Sequence, residues 1–185
     1  MRIFIALEPE ADFLENLSQN IMPLKEKYPH LRWVPEENLH ITLVFLGETD
    51  KDALHKIFEA VKKACGHKAI YAVSGKTFTL PRGKAPNVLA LGFGEGGEAI
   101  GKLAAAIEKN LAVCGILSDK DRRKHFLPHI TLARKGAEMR VNKEDYSIIA
   151  KGVFRKVNVY ESTLSSQGAI YTVLGSFPLG AGFEA

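Results

Sequence analysis

FLPHITLAR, residues Phe126–Arg134, contains a tetrapeptide that the chain also carries in ENLHITLVFLG, residues Glu37–Gly47. His40 and His129 occupy the same place in the two copies and are separated by 89 residues, close to half of the 185-residue chain. Each copy predicts a strand, because it is rich in β-branched and apolar residues. A repeat at half the chain length indicates two similar halves.

The elements around the motifs recur in the same order. The apolar runs Ile3–Leu7 and Val88–Leu91 predict strands, and each is followed by apolar residues at helical spacing, from Glu10 to about Lys27 and from Ile100 to Leu111. Further strands are predicted over residues 69–80, 153–164 and 169–175. We therefore expect an α+β fold: a single domain over residues 1–185, made of two duplicated, pseudo-symmetric lobes. Each lobe would be an antiparallel sheet with helices on its outer face, and the lobes would form a central cleft.

The composition is ordinary for a globular domain, with 46% hydrophobic and 25% charged residues. No apolar run reaches the length of a membrane span, and the N-terminal run is interrupted at Glu8 and Pro9. Cys65 and Cys114 lie far apart, which favours a reduced protein over a disulfide. We expect a cytoplasmic monomer that does not contact membranes, and the net charge of +4 leans toward a polyanionic partner.

Alternation along a strand separates each motif into two faces. His40 and Thr42 project from one side, and Ile41, Leu43 and Phe45 from the other. The apolar side must meet the helices, so the imidazole and the hydroxyl lie on the open face. The same pattern puts His129 and Thr131 on the open face of the second lobe, in contrast to Ile130 and Leu132.

Two histidines facing each other across a cleft suit acid–base catalysis near neutral pH, because an imidazole can either accept or donate a proton there. Two threonine hydroxyls can donate hydrogen bonds to one anionic group. Displacement at phosphorus needs the attacking and leaving groups roughly in line, and an acid and a base on opposite sides meet that need. The pattern therefore predicts chemistry at a phosphoryl centre.

Two other interpretations of the motif compete with catalysis. A single histidine on a strand is more often a packing residue, but two copies in matched contexts favour catalysis. Paired histidines can also hold zinc. No third or fourth ligand has suitable spacing, so we expect no metal.

Two weaker features remain open. A basic cluster precedes the second motif and could receive RNA phosphates or be a solvated loop; it consists of Lys120, Arg122, Arg123, Lys124 and His125. Trp33 and Phe4 could stack on a nucleobase, although core packing is the favoured interpretation for both.

The motifs and their flanks resemble a known family. The segments RWVPEENLHITLVFLGE (Arg32–Glu48), FLPHITLAR and VYESTLSSQGAIYTVL (Val159–Leu174) are similar to the two-histidine (2H) phosphoesterase superfamily, whose signature is one His-x-Thr-x motif per lobe. The likeness is to its RNA 2',3'-cyclic phosphodiesterase branch, also called 2'-5' RNA ligase, and it spans essentially the whole chain.

This resemblance implies metal-independent hydrolysis of a 2',3'-cyclic phosphate at RNA 3' ends, such as those of tRNA fragments, to a 2'-phosphomonoester, with no cofactor. It implies that His40 protonates the leaving 3' oxygen and that His129 activates water. Thr42 and Thr131 would hold the phosphate. Reverse joining of RNA ends through a 2'-5' bond is a secondary expectation.

Arg134 also matches the family pattern, which implies contact with the phosphate. Strict alternation instead puts position 134 on the core side. A strand end, a bulge or a solvated strand terminus could each resolve this conflict. Because Lys135 and Gly136 follow at once, a strand that ends after Leu132 is the favoured explanation.

Two functional alternatives stay open. The cleft could belong to a non-catalytic module that only binds a nucleotide or phosphate. It could also act on another phosphodiester, such as 2'-5' oligoadenylate or a small cyclic nucleotide.

Overall fold

The computed structural model describes residues 1–66, 68–81, 86–118, 125–136, 146–165 and 168–180. Within these ranges the helices are α1 (Ala11–Lys27), α2 (Leu54–Ala64) and α3 (Gly97–Val113). The strands are β1 (Arg2–Glu8), β2 (Arg32–Trp33), β3 (Ile41–Glu48), β4 (Ile70–Leu80), β5 (Val88–Phe93), β6 (His129–Arg134), β7 (Lys151–Phe154), β8 (Lys156–Ser165) and β9 (Gly168–Pro178). No helix in these ranges is both long and apolar enough to cross a membrane.

The described strands form one antiparallel sheet. Its order is β7-β4-β5-β6-β3-β1-β8-β9, and the short β2 pairs with β6. The two motif strands, β3 and β6, are neighbours in the middle and pair through Ile41 and Ile130. From this seam outward, each side has its motif strand and then the strand that opens its half, β1 or β5. The predicted α+β class is therefore confirmed, and the halves join edge to edge.

α1, from the first half of the chain, packs against strands of the second half, and α3 packs against a strand of the first half. Phe13 of α1 lies against Phe93 of β5 and Phe154 of β7, with ring centroids 5.9 and 5.1 Å apart. α3 packs against α2 and, among the strands, mainly against β3. Gly152 of β7 permits this approach, because a Cβ there would lie 2.7 Å from the Cβ of Phe13. The crossed packing buries one shared core and leaves the opposite face of the sheet to the motif side chains.

Candidate active site

His40 lies immediately before β3, and two hydrogen bonds fix its imidazole. Nδ1 is 2.7 Å from the carbonyl oxygen of Asn38, and Nε2 is 3.0 Å from the Thr42 hydroxyl. Because a carbonyl oxygen can only accept, Nδ1 carries the proton of the neutral ring. Nε2 then accepts from Thr42 and is the nitrogen that can exchange a proton with a substrate.

His129 opens β6 and repeats the arrangement. Its Nδ1 lies 2.8 Å from the carbonyl oxygen of Leu127, which is also two residues earlier in the chain. The neutral ring therefore has its proton on Nδ1 and its basic nitrogen at Nε2, as in His40. The repeated sequence thus holds both imidazoles in the same tautomer.

Antiparallel pairing about the central isoleucine pair brings the two motifs together. Ile41 pairs with Ile130, so one residue to either side His40 lies beside Thr131 and Thr42 lies beside His129. The two histidines are close enough for the charge of His129 to act on His40. The structure therefore gathers all four side chains at the seam, on the face that the helices leave open.

A bulge in β3 turns Phe45 onto this open face. Ala6 of β1 pairs with Thr42, whereas the residue before Ala6 pairs with Val44, so Leu43 is an extra residue in the ladder. The extra residue reverses the alternation beyond it and puts Phe45 on the side of Thr42. Phe45 is 65% exposed. The expectation that it packs beneath the helices is therefore wrong.

An equivalent bulge in β6 places Arg134. Two consecutive residues of β5 pair with Thr131 and Ala133, which leaves Leu132 as the extra residue. Arg134 then shares the face of Thr131, and its positive charge lowers the pKa of His40. The strand continues to Arg134, so the expectation that it ends after Leu132 is wrong. The bulge is what reconciles strand geometry with the position that the resemblance implies.

Phe45 and Arg134 are equivalent positions, each five residues after its histidine. One half of the cleft therefore presents an aromatic ring where the other half presents a cation. Alternation along the strand assigns Phe45 to the core side and so misses it as a site residue. Alignment of the two copies as HITLVF and HITLAR places it at the same position as Arg134. On the open face, the two motif strands therefore repeat the histidine and the threonine and differ at this position.

Three aromatic rings stand around His40, and we call Phe4, Tyr160 and Tyr171 the aromatic wall. Their ring centroids lie 5.0, 6.3 and 5.4 Å from that of His40. Phe4 is only 3% exposed, so it supports the imidazole and is not available to stack on a base. Trp33 is partly buried against the core, and its indole Nε1 donates to a backbone carbonyl at 3.1 Å.

Burial accounts for the ionisation of His40. Desolvation of the partly exposed imidazole lowers its pKa to about 4; the hydrogen bond to Asn38 opposes this shift, and the charges of Arg134 and His129 add to it. At neutral pH the imidazole of the free protein is therefore uncharged, with Nε2 unprotonated.

A polar network holds the wall at its outer edge. Asn158 is buried, and its Nδ2 donates to Glu8 at 2.6 Å and to the Tyr160 hydroxyl oxygen at 3.0 Å. Lys156 pairs with the same carboxylate at 3.4 Å. Burial raises the pKa of Tyr160, so this phenol stays neutral. The network therefore fixes the orientation of Tyr160 toward the cleft.

Two predicted features lie apart from these contacts. Of the basic cluster, His125 is exposed, whereas Lys120, Arg122, Arg123 and Lys124 lie outside the described residues. Among the residues that the structure describes, no group of three or more His, Cys, Asp and Glu side chains is placed to hold a metal ion. Independence of metal stays a prediction.

Comparison with known sequences connects this geometry to a family. The model of the family described as LigT-like phosphoesterase matches residues 7–87. The RNA 2',3'-cyclic phosphodiesterase of Thermotoga maritima is 31% identical over 94% of this chain and 93% of its own length. The enzyme of that name from Aquifex aeolicus is 31% identical over 80% of this chain and 82% of its own length.

Solved structures share the fold. The protein TT0787 of Thermus thermophilus superposes with a TM-score of 0.83 at 24% identity, covering 97% of this chain and 98% of its own. The LigT protein of E. coli in complex with 3'-AMP gives a TM-score of 0.77 at 22% identity, covering 96% and 97%. The continuous sheet with its central pair of motif strands thus belongs to an established architecture.

Proposed function

This chain belongs to the LigT-like phosphoesterase family, and from that premise we propose that it hydrolyses the 2',3'-cyclic phosphate at RNA 3' ends to a 2'-phosphomonoester. Its curated relatives are named for activity on this group. One observation carries the proposal for this chain: two imidazoles, fixed in one tautomer by backbone carbonyls, meet at the seam with Nε2 as the proton-exchanging atom. This arrangement supplies an acid and a base to one phosphorus atom.

The reaction needs two proton transfers. Nε2 of His129 takes a proton from water as the water oxygen bonds to phosphorus. The bond between phosphorus and the 3' oxygen breaks, and that oxygen receives a proton from Nε2 of His40, which has taken this proton up from solvent before the step. The product carries a 2'-phosphate and a 3'-hydroxyl, and exchange with solvent then returns both histidines to their starting forms. All atoms come from water and the cyclic ester, so the proposal calls for no metal or cofactor.

Thr42, Thr131 and Arg134 are placed to hold the phosphate. Both hydroxyls lie on the open face beside the opposite histidine. Thr131 can donate to a non-bridging oxygen, and Thr42 can do so once Nε2 of His40 is protonated and no longer accepts from its hydroxyl. Arg134 shares that face and can form charge-assisted hydrogen bonds with the same oxygens. These donors would stabilise the negative charge that the phosphoryl group carries through the transition state.

Phe45 is placed to bind the base of the terminal nucleotide. A nucleobase stacks favourably on an exposed aromatic ring. Phe45 is exposed, and its ring lies 6.0 Å from that of Phe4, which in turn packs against His40. Stacking there would hold the nucleotide beside the two histidines, while the assignment of His40 as the acid and His129 as the base follows the family resemblance.

Replacing Phe45 with alanine is expected to raise KM for an oligonucleotide with a terminal 2',3'-cyclic phosphate by about tenfold, because base stacking contributes about 1–3 kcal/mol. Steady-state kinetics measures the effect. Phe45→Trp should retain most of the affinity, and removal of another exposed aromatic, Tyr71→Ala on β4, should leave KM unchanged. An unaltered KM in Phe45→Ala would exclude the stacking role.

The function itself is tested by product identification. Protein treated with EDTA is incubated with RNA that ends in a 2',3'-cyclic phosphate, and the end group is identified by chromatography against 2'- and 3'-phosphate standards. A 2'-phosphate product supports the reaction, its regiochemistry and its independence of metal together. Tight binding without product would instead favour a non-catalytic phosphate-binding module.

The finer alternatives are separated by substrate. Replacing water with a 5'-hydroxyl would reverse the chemistry and join two ends through a 2'-5' bond, so the assay includes an acceptor RNA. Parallel assays on 2'-5' oligoadenylate and on small cyclic nucleotides compare kcat/KM between substrate classes. The preference for RNA 3' ends, the monomeric state and the cytoplasmic location stay predictions.

A further inference from the structure

Tyr171 contacts His40 from the far edge of the sheet. It lies on β9, which is separated from β3 by β1 and β8, and its ladder partner is Ser162. The sheet curls enough to bring its ring to 5.4 Å from the His40 ring at 86° and to 5.0 Å from the Phe4 ring at 71°. A residue distant in both sequence and strand order therefore packs edge-on against a histidine of the cleft.

The rest of the aromatic wall comes from other strands. Phe4 is on β1 and stacks on Tyr160 of β8 at 5.0 Å with an interplanar angle of 15°. Tyr160 is held by Asn158, which also donates to Glu8. Tyr171 is the one ring of the wall that lies on the edge strand β9, which is held to the sheet through β8.

We propose that Tyr171 is a positioning residue that acts through His40: its ring helps to keep the imidazole out of water, so that His40 is neutral in the free protein and takes up its proton together with the anionic substrate. This role rests on the proposed function. The ring is what matters and not the phenol hydroxyl, because the contact with His40 is an edge-on aromatic one.

The charges that face His40 agree with this role. From β6, Arg134 and His129 both disfavour a positive charge on the imidazole, and burial raises the pKa of the Tyr160 phenol, which therefore adds no negative charge. The carboxylate of Glu8 on β1 is engaged by Lys156 and Asn158. A bound phosphate reverses this balance, because its negative charge favours the protonated ring.

Burial already lowers the pKa of His40 to about 4 in the free protein. Only a small fraction of His40 is then protonated at neutral pH, and a general acid in this state would be ineffective. If the aromatic wall keeps His40 unprotonated until the anionic substrate binds, protonation of His40 is coupled to substrate binding. Removing a ring of the wall would then change the titration midpoint of His40 and not only the stability of the protein.

The test is an NMR titration of the His40 Cε1 proton, assigned with His40→Gln. In Tyr171→Ala the midpoint should rise by about one pH unit or more, because water reaches the ring. Tyr171→Phe should titrate like the wild type. Ile170→Ala, the removal of an exposed apolar side chain next in the same strand, is the matched control. If the alanine variant does not fold, Tyr171→Leu should show a smaller rise.

An unchanged midpoint in folded Tyr171→Ala would overturn the proposal, and so would an equal rise in Ile170→Ala, which would trace the effect to the hairpin as a whole. Addition of adenosine 2'-phosphate to the wild type should raise the midpoint, and failure to do so would overturn the coupling to anion binding. The titration of the free protein needs no turnover. A protein that hydrolyses no cyclic phosphate would therefore refute the proposed function without affecting this result.

Discussion

Replacement of His129 with alanine is expected to lower kcat on an RNA 2',3'-cyclic phosphate by about a thousandfold, because general base catalysis by a positioned imidazole contributes about 10²–10⁴-fold. The KM should change little, since the phosphate would still meet Thr42, Thr131 and Arg134. Single-turnover kinetics with excess enzyme separates the chemical step from binding and measures the effect directly.

The control for His129 is His55, an exposed histidine on α2. His55→Ala should retain full activity. The double replacement of His40 and His129 should cost much less than the product of the two single effects, because residues that act as a unit are not additive. Turnover of His129→Ala close to that of the wild type would contradict the two-histidine mechanism.

Removal of the guanidinium in Arg134→Ala is expected to lower kcat/KM by about 10²–10³-fold, because a preorganised donor at a developing negative charge contributes about this much. Arg134→Lys should restore a part of the activity, since it returns the charge without the fork geometry that pairs with two phosphate oxygens. Initial rates at substrate concentrations well below KM give kcat/KM for each variant.

Arg155 provides a matched control for this replacement. It is 58% exposed and its ion pair with Glu10 spans 4.0 Å, so the contribution of that pair to stability is small. Arg155→Ala should leave kcat/KM unchanged. Equal losses in Arg134→Ala and Arg155→Ala would indicate a general effect of net charge on RNA binding, and would remove Arg134 from the site.

Local pattern is sufficient to predict most of the strands, the two long helices and the location of four site residues. The strand predicted over residues 153–164 is divided in the structure between β7 and β8, and β2 was not predicted. Alternation within a strand depends only on the backbone, so His40 and Thr42 can be placed on the open face without knowledge of their neighbours. The repeat adds the second pair, His129 and Thr131. The structure places these residues at one seam because both motif strands lie in the middle of a single sheet.

Alternation along a strand cannot predict where a bulge occurs. A single extra residue at Leu43 or at Leu132 reverses every face that follows it, and no residue type in HITL marks its presence. Alternation therefore assigns Phe45 to the core side and Arg134 to a strand end. Comparison of the two copies with each other could have indicated that positions 45 and 134 share a role.

The aromatic wall depends on an even longer range of structure. Tyr171 reaches His40 only because the sheet curls across β8 and β1, and curl is a property of the whole sheet. The low pKa of His40 arises first from its burial. Both are consequences of packing that no local segment contains.

The assignment of His40 as the acid and His129 as the base is tested most directly with a substrate whose bridging 3' oxygen is replaced by sulfur. A thiolate leaves without protonation, so this substrate removes the need for a general acid. We expect the sulfur substrate to restore the turnover of His40→Ala nearly to that of the wild type and to leave His129→Ala inactive. Rescue of His129→Ala in place of His40→Ala would contradict the account.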